Sequence, residues 1–506
     1  MPSILVFDLG TTGLKTVLFS ERFDVIASAD ATYETHRPAS DLAEQAPADW
    51  WGALVATTRE VLAAHPGAAG DIAGIALSGH MMGCIPLDGA GNILMERVPI
   101  WLDRRGIAQC EALLEKLGGF EAFYHISRQG MQTELYSLAK IMWVRDTQPD
   151  LFAKARWFVN AKDWLGFRMT GRVATDPSEA ACTIAYDVTT REMSPEILGA
   201  AGLSADFMPE ILEPGALIGT LNAEAASALG LPETVPVYMG LGDAVAAAAG
   251  ALACQPGDAY FSFGTAMWGG MISAVPEGDV DDRTNVLPFV QPGLYQLQYV
   301  VNTGMLAHEW AVETFYGGRE FARAEADARA VPRDSANLLF LPTLNGSGAP
   351  FNCPDARGVF FGMSPRHGRG HFIRATLEGL AMSVALVRDN LEALGKVRIG
   401  RLGVIGGGTA SELFLQILAD TLQCEVEVGA FEKDCTAFGA AICAAMGAGW
   451  INGPTEVRGM VPEGRLYRPD PALAEEVAVR RALYADLFAR VRPSFDDLAS
   501  FRRRGT

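Results

Sequence analysis

Runs of four to six apolar residues recur at Ile4–Phe7, Thr16–Phe19 and Ile72–Leu77, each closed by Gly, Ser or Asp, and this spacing predicts three β-strands. Between the last two, the stretch Asp49–Ala64 has helical spacing and predicts a helix with Trp50, Leu54 and Val61 on one face. Strands alternating with a helix of this length are the pattern of an α/β fold.

The second half of the chain restates the first. Ile4–Phe7 leads through Asp8 and Gly10-Thr11-Thr12 into Thr16–Phe19, and Ala259–Phe263 leads through Gly264-Thr265 into a second apolar run ending at Ile272. Each is strand, Gly-Thr turn, returning strand. The repeat predicts two related domains, residues 1–240 and 241–480, with a ligand cleft between them. Residues 481–506 form a C-terminal helix and tail, with the helical period starting at Pro471 and expected to stop at Pro493.

Composition narrows the class. With 506 residues, 49% of them hydrophobic, there is enough apolar surface for two or three packed domains rather than a disordered chain. Forty-one basic residues against 60 acidic ones give a net charge of −19, which argues against nucleic acid or an anionic membrane as partner. The longest nearly apolar run, Ala244–Cys254, is too short to span a bilayer, and no basic segment precedes the first strand as in a secretory signal. Eight dispersed cysteines without a CxxC pair suit reduced thiols, so a cytoplasmic protein is expected. The seven histidines form no metal pair; His308-Glu309 begins like HExxH, but Val312 stands where the second His belongs. Arg502–Arg504 is expected to be a solvated tail.

Three segments could carry chemistry. In Asp8-Leu9-Gly10-Thr11-Thr12-Gly13-Leu14-Lys15 a Gly-rich turn can aim backbone N–H groups at phosphate oxygens. Thr11 and Thr12 add hydroxyls, Lys15 a positive charge, and Asp8 a carboxylate suited to hydrated Mg²⁺. An ordinary hairpin is the competing reading. Gly240-Leu241-Gly242-Asp243 precedes the Ala-rich helical run Ala244–Leu252, so Asp243 stands at an N-cap position, either as a plain cap or as a carboxylate able to take a hydroxyl proton. Gly406-Gly407-Gly408-Thr409-Ala410-Ser411 joins an apolar strand to a helix, either as a plain turn needing unusual φ or as a place where an adenosine can approach the backbone closely. There is no GxxxxGK[ST] motif and no complete GxGxxG, so any nucleotide cradle is of another kind.

In this order and spacing, the three segments resemble the FGGY family of carbohydrate kinases, within the actin-like ATPase superfamily, and most nearly its xylulokinase branch. Gly358-Val359-Phe360-Phe361-Gly362-Met363, followed by His371-Phe372-Ile373-Arg374-Ala375-Thr376-Leu377-Glu378, is similar to the family's C-terminal signature. So are Glu44-Gln45-Ala46-Pro47, Lys162-Asp163-Trp164 and Thr175-Asp176 in their segments. The resemblance implies two actin-like (ribonuclease H-like) domains flanking a deep cleft, with sugar against the first and ATP across the second. It implies Asp243 as catalytic base; Asp8 near Mg²⁺, reached through water; Thr11, Thr12 and Lys15 in the first phosphate loop; Gly264 and Thr265 in the second; and Gly407, Gly408 and Ser411 at the adenosine. His80, Met81, Met82 and Asp103, with Asp243, fall in its sugar-contacting segments. At a strand end the two methionines would point oppositely, so only one of them is expected to touch sugar.

Two departures bear on the sugar. Xylulokinases usually read Gln-Met-His-Gly where this chain has His80-Met81-Met82-Gly83, and many members carry Gly-Glu-Arg-x-Pro where it has Gly346-Ser347-Gly348-Ala349-Pro350. The expected activity is ATP-dependent phosphorylation of D-xylulose or a related ketose or polyol. A catalytically silent sugar-binding regulator and an Hsp70-like ATPase are the competing classes. The expected partners are the small sugar and MgATP, with a homodimer allowed.

Overall fold

The computed structural model describes residues 1–504, and side chains as far as Phe501. The solvated tail expected at Arg502–Arg504 rests on side chains that lie outside the described residues. The first sheet contains β1 (Ser3–Leu9), β2 (Gly13–Ser20), β3 (Val25–Thr32), β4 (Ile72–Gly79), β5 (Leu217–Thr220) and β6 (Pro236–Gly242), in the order β5-β6-β4-β1-β2-β3. The second contains β7 (Ala259–Phe263), β8 (Met267–Ser273), β9 (Asn285–Pro288), β10 (Tyr295–Val301), β11 (Arg401–Ile405), β12 (Glu425–Val428) and β13 (Arg465–Tyr467), in the order β9-β10-β8-β7-β11-β12-β13.

All six strands of the first sheet have a counterpart in the second, which adds β9 at its edge. In β3-β2-β1-β4-β6-β5 the neighbour relations run antiparallel, antiparallel, parallel, parallel, antiparallel, and β10-β8-β7-β11-β12-β13 repeats that series. The repeated strand–Gly-Thr–strand pattern thus marks equivalent hairpins, β1–β2 and β7–β8. This is the actin-like arrangement of two ribonuclease H-like lobes.

Burial follows from strand geometry. Successive side chains of β1 alternate faces, so Ile4 and Val6 enter the core that continues into the second lobe, while Leu5, Phe7 and Leu9 enter a core under helix α1 (Pro47–Ala64). Trp50, Leu54 and Val61 are all buried on α1's inner face, as their spacing predicts.

Two helices form one junction between the lobes. α2 (Asp243–Gly250) crosses α5 (Cys435–Gly447), which lies against β1, β4 and β6, while α3 (Arg369–Gly395) and α4 (Glu412–Leu422) pack together in the second lobe. The crossing needs bare backbone: a Cβ on Gly250 would lie 1.8 Å from the Cys435 carbonyl oxygen, and one on Gly439 1.9 Å from that of Ala246.

The end of the chain departs from expectation. α6 runs Ala474–Arg504 with Pro493 inside it, rather than stopping there. Proline costs the helix one N–H bond, but Phe488 and Phe495, on either side of it, are anchored in one cluster with Leu341, Met382 and Tyr484. That docking holds both halves of α6 on the second lobe. A boundary at 240/241 would fall within β6, and one at 480/481 within α6.

All eight cysteines are buried and free of disulfides. Among the described residues no helix is long and apolar enough to cross a membrane.

Candidate active site

The carboxyl ends of the parallel strands β1, β4 and β6 finish level: Leu9 pairs with Gly79, and Gly79 with Gly242. Ligands of open α/β sheets bind at such an edge. Asp8 lies one residue before it and Asp243 one residue after. Gly242, not Asp243, is the N-cap of α2; Asp243 is the first helical residue. The Gly242 N–H is taken by Ser178 Oγ at 3.1 Å, and a Cβ at Gly242 would lie 2.4 Å from Met81 Cε. Asp243 is thus not the N-cap; its carboxylate stands one residue in, beside the Ala244 N–H.

Burial raises both acids. Asp243 is pushed up to about 7 by burial, then by the charge of Asp8, against a partly offsetting bond from the Ala244 N–H. Asp8 is pushed up to about 6 by burial, with Lys15 lowering it and Asp434 and Asp30 raising it. A carboxylate poised near neutrality suits proton acceptance.

The first hairpin is tight. Gly10 N–H bonds the Gly13 carbonyl at 3.0 Å, and the Thr11 hydroxyl accepts from Trp101 Nε1 at 2.9 Å. Thr12 is exposed at its tip. Lys15 reaches across to the second lobe, with Nζ 3.0 Å from Asp434 Oδ1 and 3.1 Å from the Lys433 carbonyl. In the second hairpin Gly264 N–H bonds the Ala266 carbonyl at 3.1 Å, and Thr265 is exposed.

A cavity of about 510 Å³ in the second lobe is lined by Gly264, Thr265, Gly407 and Ser411, with Met305 and Phe321 among its other walls. Gly408 is not in the lining. It is buried against Phe263, where a Cβ would come within 2.6 Å of that residue's Cβ. Ser411 caps α4 by accepting from Phe414 N–H at 3.2 Å. His308 also lines this cavity, and burial pushes it down to about 4.

A second cavity, of about 220 Å³, is lined by Asp243, Met81, Met82, Trp101, Trp268 and Asn285, among others. At about 30 Å³ per water this is room for roughly seven waters, the scale of one monosaccharide. Both methionines face it, contrary to the strand-alternation argument. β4 ends at Gly79, and Met82 has a φ of 62°, so the chain has already left extended geometry.

Two sugar-segment candidates lie elsewhere. His80 is fully buried edge-on to Trp50, with ring centroids 5.4 Å apart and neither ring nitrogen partnered; burial pushes it down to about 4. Asp103 is fully buried too. Its oxygens accept from Arg105 at 2.7 Å and from Ala43 N–H at 2.8 Å, and Arg105 continues to Glu44 at 2.6 Å. With its lone pairs so engaged, Asp103 braces the Glu44 segment rather than the cavity. Glu378 of the signature is likewise structural, tied to Arg374, Ser335 and Arg480 at 2.8 Å each.

The residues missed from sequence are the cavity's polar walls Gln129, Tyr136, Asn285 and Gln298 and its aromatic wall Trp268. Trp268 follows the second Gly-Thr turn by three residues, the only local signal; the rest converge from distant segments.

Among the described residues no group of three or more His, Cys, Asp or Glu side chains is placed to hold a metal ion. Asp8, its acidity weakened by burial, fits a hard cation that brings most of its oxygen ligands from phosphates and water.

Comparison with known proteins gives a consistent pattern. Residues 3–250 match the N-terminal domain of the FGGY family of carbohydrate kinases, and residues 260–448 match its C-terminal domain. The xylulose kinase of Bacillus subtilis (strain 168) is 29% identical, over 99% of this chain and 100% of that relative. The gluconokinase of Bacillus licheniformis is 25% identical, over 99% and 98%. The crystal structure of xylulose kinase from Rhodospirillum rubrum superposes with a TM-score of 0.89 at 26% identity, covering 98% of this chain and 100% of that one.

Proposed function

The chain belongs to the FGGY family of carbohydrate kinases, ATP-dependent phosphotransferases with an alcohol acceptor, and from that premise we propose that its acceptor is a small neutral sugar, D-xylulose first. The observation that carries this reading is the charge of the smaller cavity. Among its described lining residues Asp243 alone is charged, and no Lys, Arg or His stands with it. A ketose or polyol offers hydroxyls that Asp243, Asn285, Gln298 and Tyr136 can bond. An aldonate such as gluconate would bring a carboxylate beside Asp243 with no cation to pair it, and a buried unpaired charge is costly.

In this reading Asp243 accepts the proton of the acceptor hydroxyl as that oxygen attacks the γ-phosphorus and ADP departs. The two Gly-Thr hairpins and Lys15 orient the phosphates from opposite lobes, with Thr11, Thr12 and Thr265 offering hydroxyls. Gly407 and Ser411 border the adenosine, with Gly408 as close-packed support. Mg²⁺, carried in with the nucleotide and held by Asp8 through water, would neutralise charge on the transferring phosphoryl group. Walls of Met81, Met82, Trp101 and Trp268 keep competing water from the reacting oxygen.

Measuring ADP release with MgATP against a panel of sugars tests the assignment. D-Xylulose is expected to exceed D-gluconate in kcat/KM by on the order of 10²-fold or more, the worth of an unpaired buried charge. Preference for gluconate would overturn the neutral-sugar reading.

A further inference from the structure

Asn285 begins β9 at the edge of the second sheet and is 2% exposed. Its Oδ1 accepts from three donors of the first lobe: Gly130 N–H at 2.9 Å, Tyr136 O–H at 3.0 Å and Met131 N–H at 3.3 Å. Backbone N–H groups can only donate, so the oxygen must face them and the amide cannot be turned round. The Nδ2 group is thereby aimed the other way, and it is buried without any hydrogen-bond partner. Yet Asn285 lines the same cavity as Asp243.

The surrounding seam fixes this placement. Tyr124 O–H donates to the Thr284 carbonyl at 2.8 Å, Gln129 Nε2 to the Val286 carbonyl at 2.8 Å, and Val286 N–H to the Arg128 carbonyl at 2.9 Å. Gly130 is held so closely that a Cβ there would lie 2.1 Å from the Arg283 carbonyl oxygen. Gln298, the register partner of Asn285 on β10, lines the cavity beside it. A buried amide NH₂ left unpaired in a rigid setting is unfavourable unless something supplies an acceptor. Asn285 lines the acceptor cavity, and a sugar seated there is the source of such an acceptor beside it.

We propose that Asn285 is a specificity-determining residue, donating through Nδ2 to one oxygen of the bound sugar, from the lobe opposite to that which carries Asp243. This rests on the cavity being the acceptor site. A sugar lacking an acceptor oxygen at that point would leave the amide orphaned, so the site selects for it; the oxygen recognised is a hydroxyl or carbonyl other than the one phosphorylated, since Asp243 takes that one.

The test uses Asn285→Ala, which removes the NH₂ donor without adding charge, with Asn285→Asp beside it, which keeps an oxygen for the three first-lobe donors but brings a second carboxylate towards Asp243 and so carries a penalty common to every sugar. Each is assayed with the best acceptor of the sugar panel and with its singly deoxygenated analogues. With the parent sugar, kcat/KM is expected to fall roughly tenfold to a hundredfold, mostly through KM. Nucleotide affinity should not change. For one deoxy analogue, already poor with the wild type, the variants' loss should be smaller than for the parent sugar by roughly tenfold or more. A loss of equal size for every analogue would make Asn285 only a latch between lobes and overturn the proposal. If the wild type phosphorylates no sugar, the acceptor-site reading itself fails; uniform losses in variants of a working enzyme fail the proposal alone.

Discussion

Exchanging Asp243 for Asn is expected to lower sugar-dependent turnover by ~10²–10⁴ while nucleotide binding survives, because the amide keeps the side chain's size and loses only the ability to take a proton. Asp243 is not the N-cap of α2, and the amide oxygen of Asn can still accept from the Ala244 N–H, so the helix should lose little by the change. The pH profile gives a second readout. With Asp243 raised to about 7 and Asp8 to about 6, turnover should climb with pH between about 6 and 7, far above the range of an ordinary carboxylate. Two neighbouring acids titrate as a pair, so the profile reports the pair's apparent values. Stability should move the opposite way. A carboxyl whose folded pKa lies above its unfolded one favours the fold while protonated, and that contribution is lost as pH rises from about 4 towards 7. The Asn variant, with nothing to ionise, should therefore melt higher than the wild type at pH 8. Near-normal turnover in a folded Asp243→Asn protein would sink the base assignment.

Local patterns were the legible part of this molecule. A strand, a Gly-Thr turn and a returning strand are contiguous in sequence, so the hairpins at residues 3–20 and 259–273 could be read, and with them the duplication that the strand orders repeat. Asp8 and Asp243 could be singled out because each stands within one residue of a strand's carboxyl end, beside a Gly-containing turn. The acceptor cavity was only half legible. Its first-lobe wall includes Met81, Met82 and Trp101, whereas Trp268, Asn285 and Gln298 arrive from the second lobe by long-range packing that no local spacing encodes. His80 and Asp103 lie in the right segments but face inward, towards Trp50 and Arg105. Segment resemblance locates a stretch of backbone; it does not say which way each side chain turns. Pro493 taught a related lesson, since tertiary anchoring of Phe488 and Phe495 outweighs a local helix breaker.

Lys162→Met is expected to destabilise the fold by ~3–5 kcal/mol, the usual cost of breaking a buried ion pair from one side. Lys162 is 2% exposed, and its Nζ lies 2.5 Å from Asp163 Oδ1 and 2.7 Å from Asp176 Oδ2. Glu179 lies close enough for its charge to be felt, is fully buried with neither oxygen partnered, and is pushed well above the usual carboxylate range by burial. Methionine fills much the same space, so the loss would be one of charge: Asp163 and Asp176 would remain buried without their cation. Against a total of ~5–15 kcal/mol for a folded domain, that is a large share. Urea unfolding should show the deficit growing as pH rises, because burial already raises Asp163 in the wild type and removing the cation would raise it further. The damage should also reach the active site. Asp176 Oδ1 accepts from Ser178 N–H at 2.8 Å and from the Ser178 hydroxyl, whose oxygen in turn accepts the Gly242 N–H at 3.1 Å, one residue before Asp243. Turnover should therefore fall even where the variant is still folded. Ser178→Ala, which removes only the last link, should cost about 1 kcal/mol of stability and a smaller part of the turnover. A Lys162→Met protein within about 1 kcal/mol of wild-type stability would mean that the carboxylates find another partner or a proton, since no general mechanism leaves two buried charges unpaired at so small a cost.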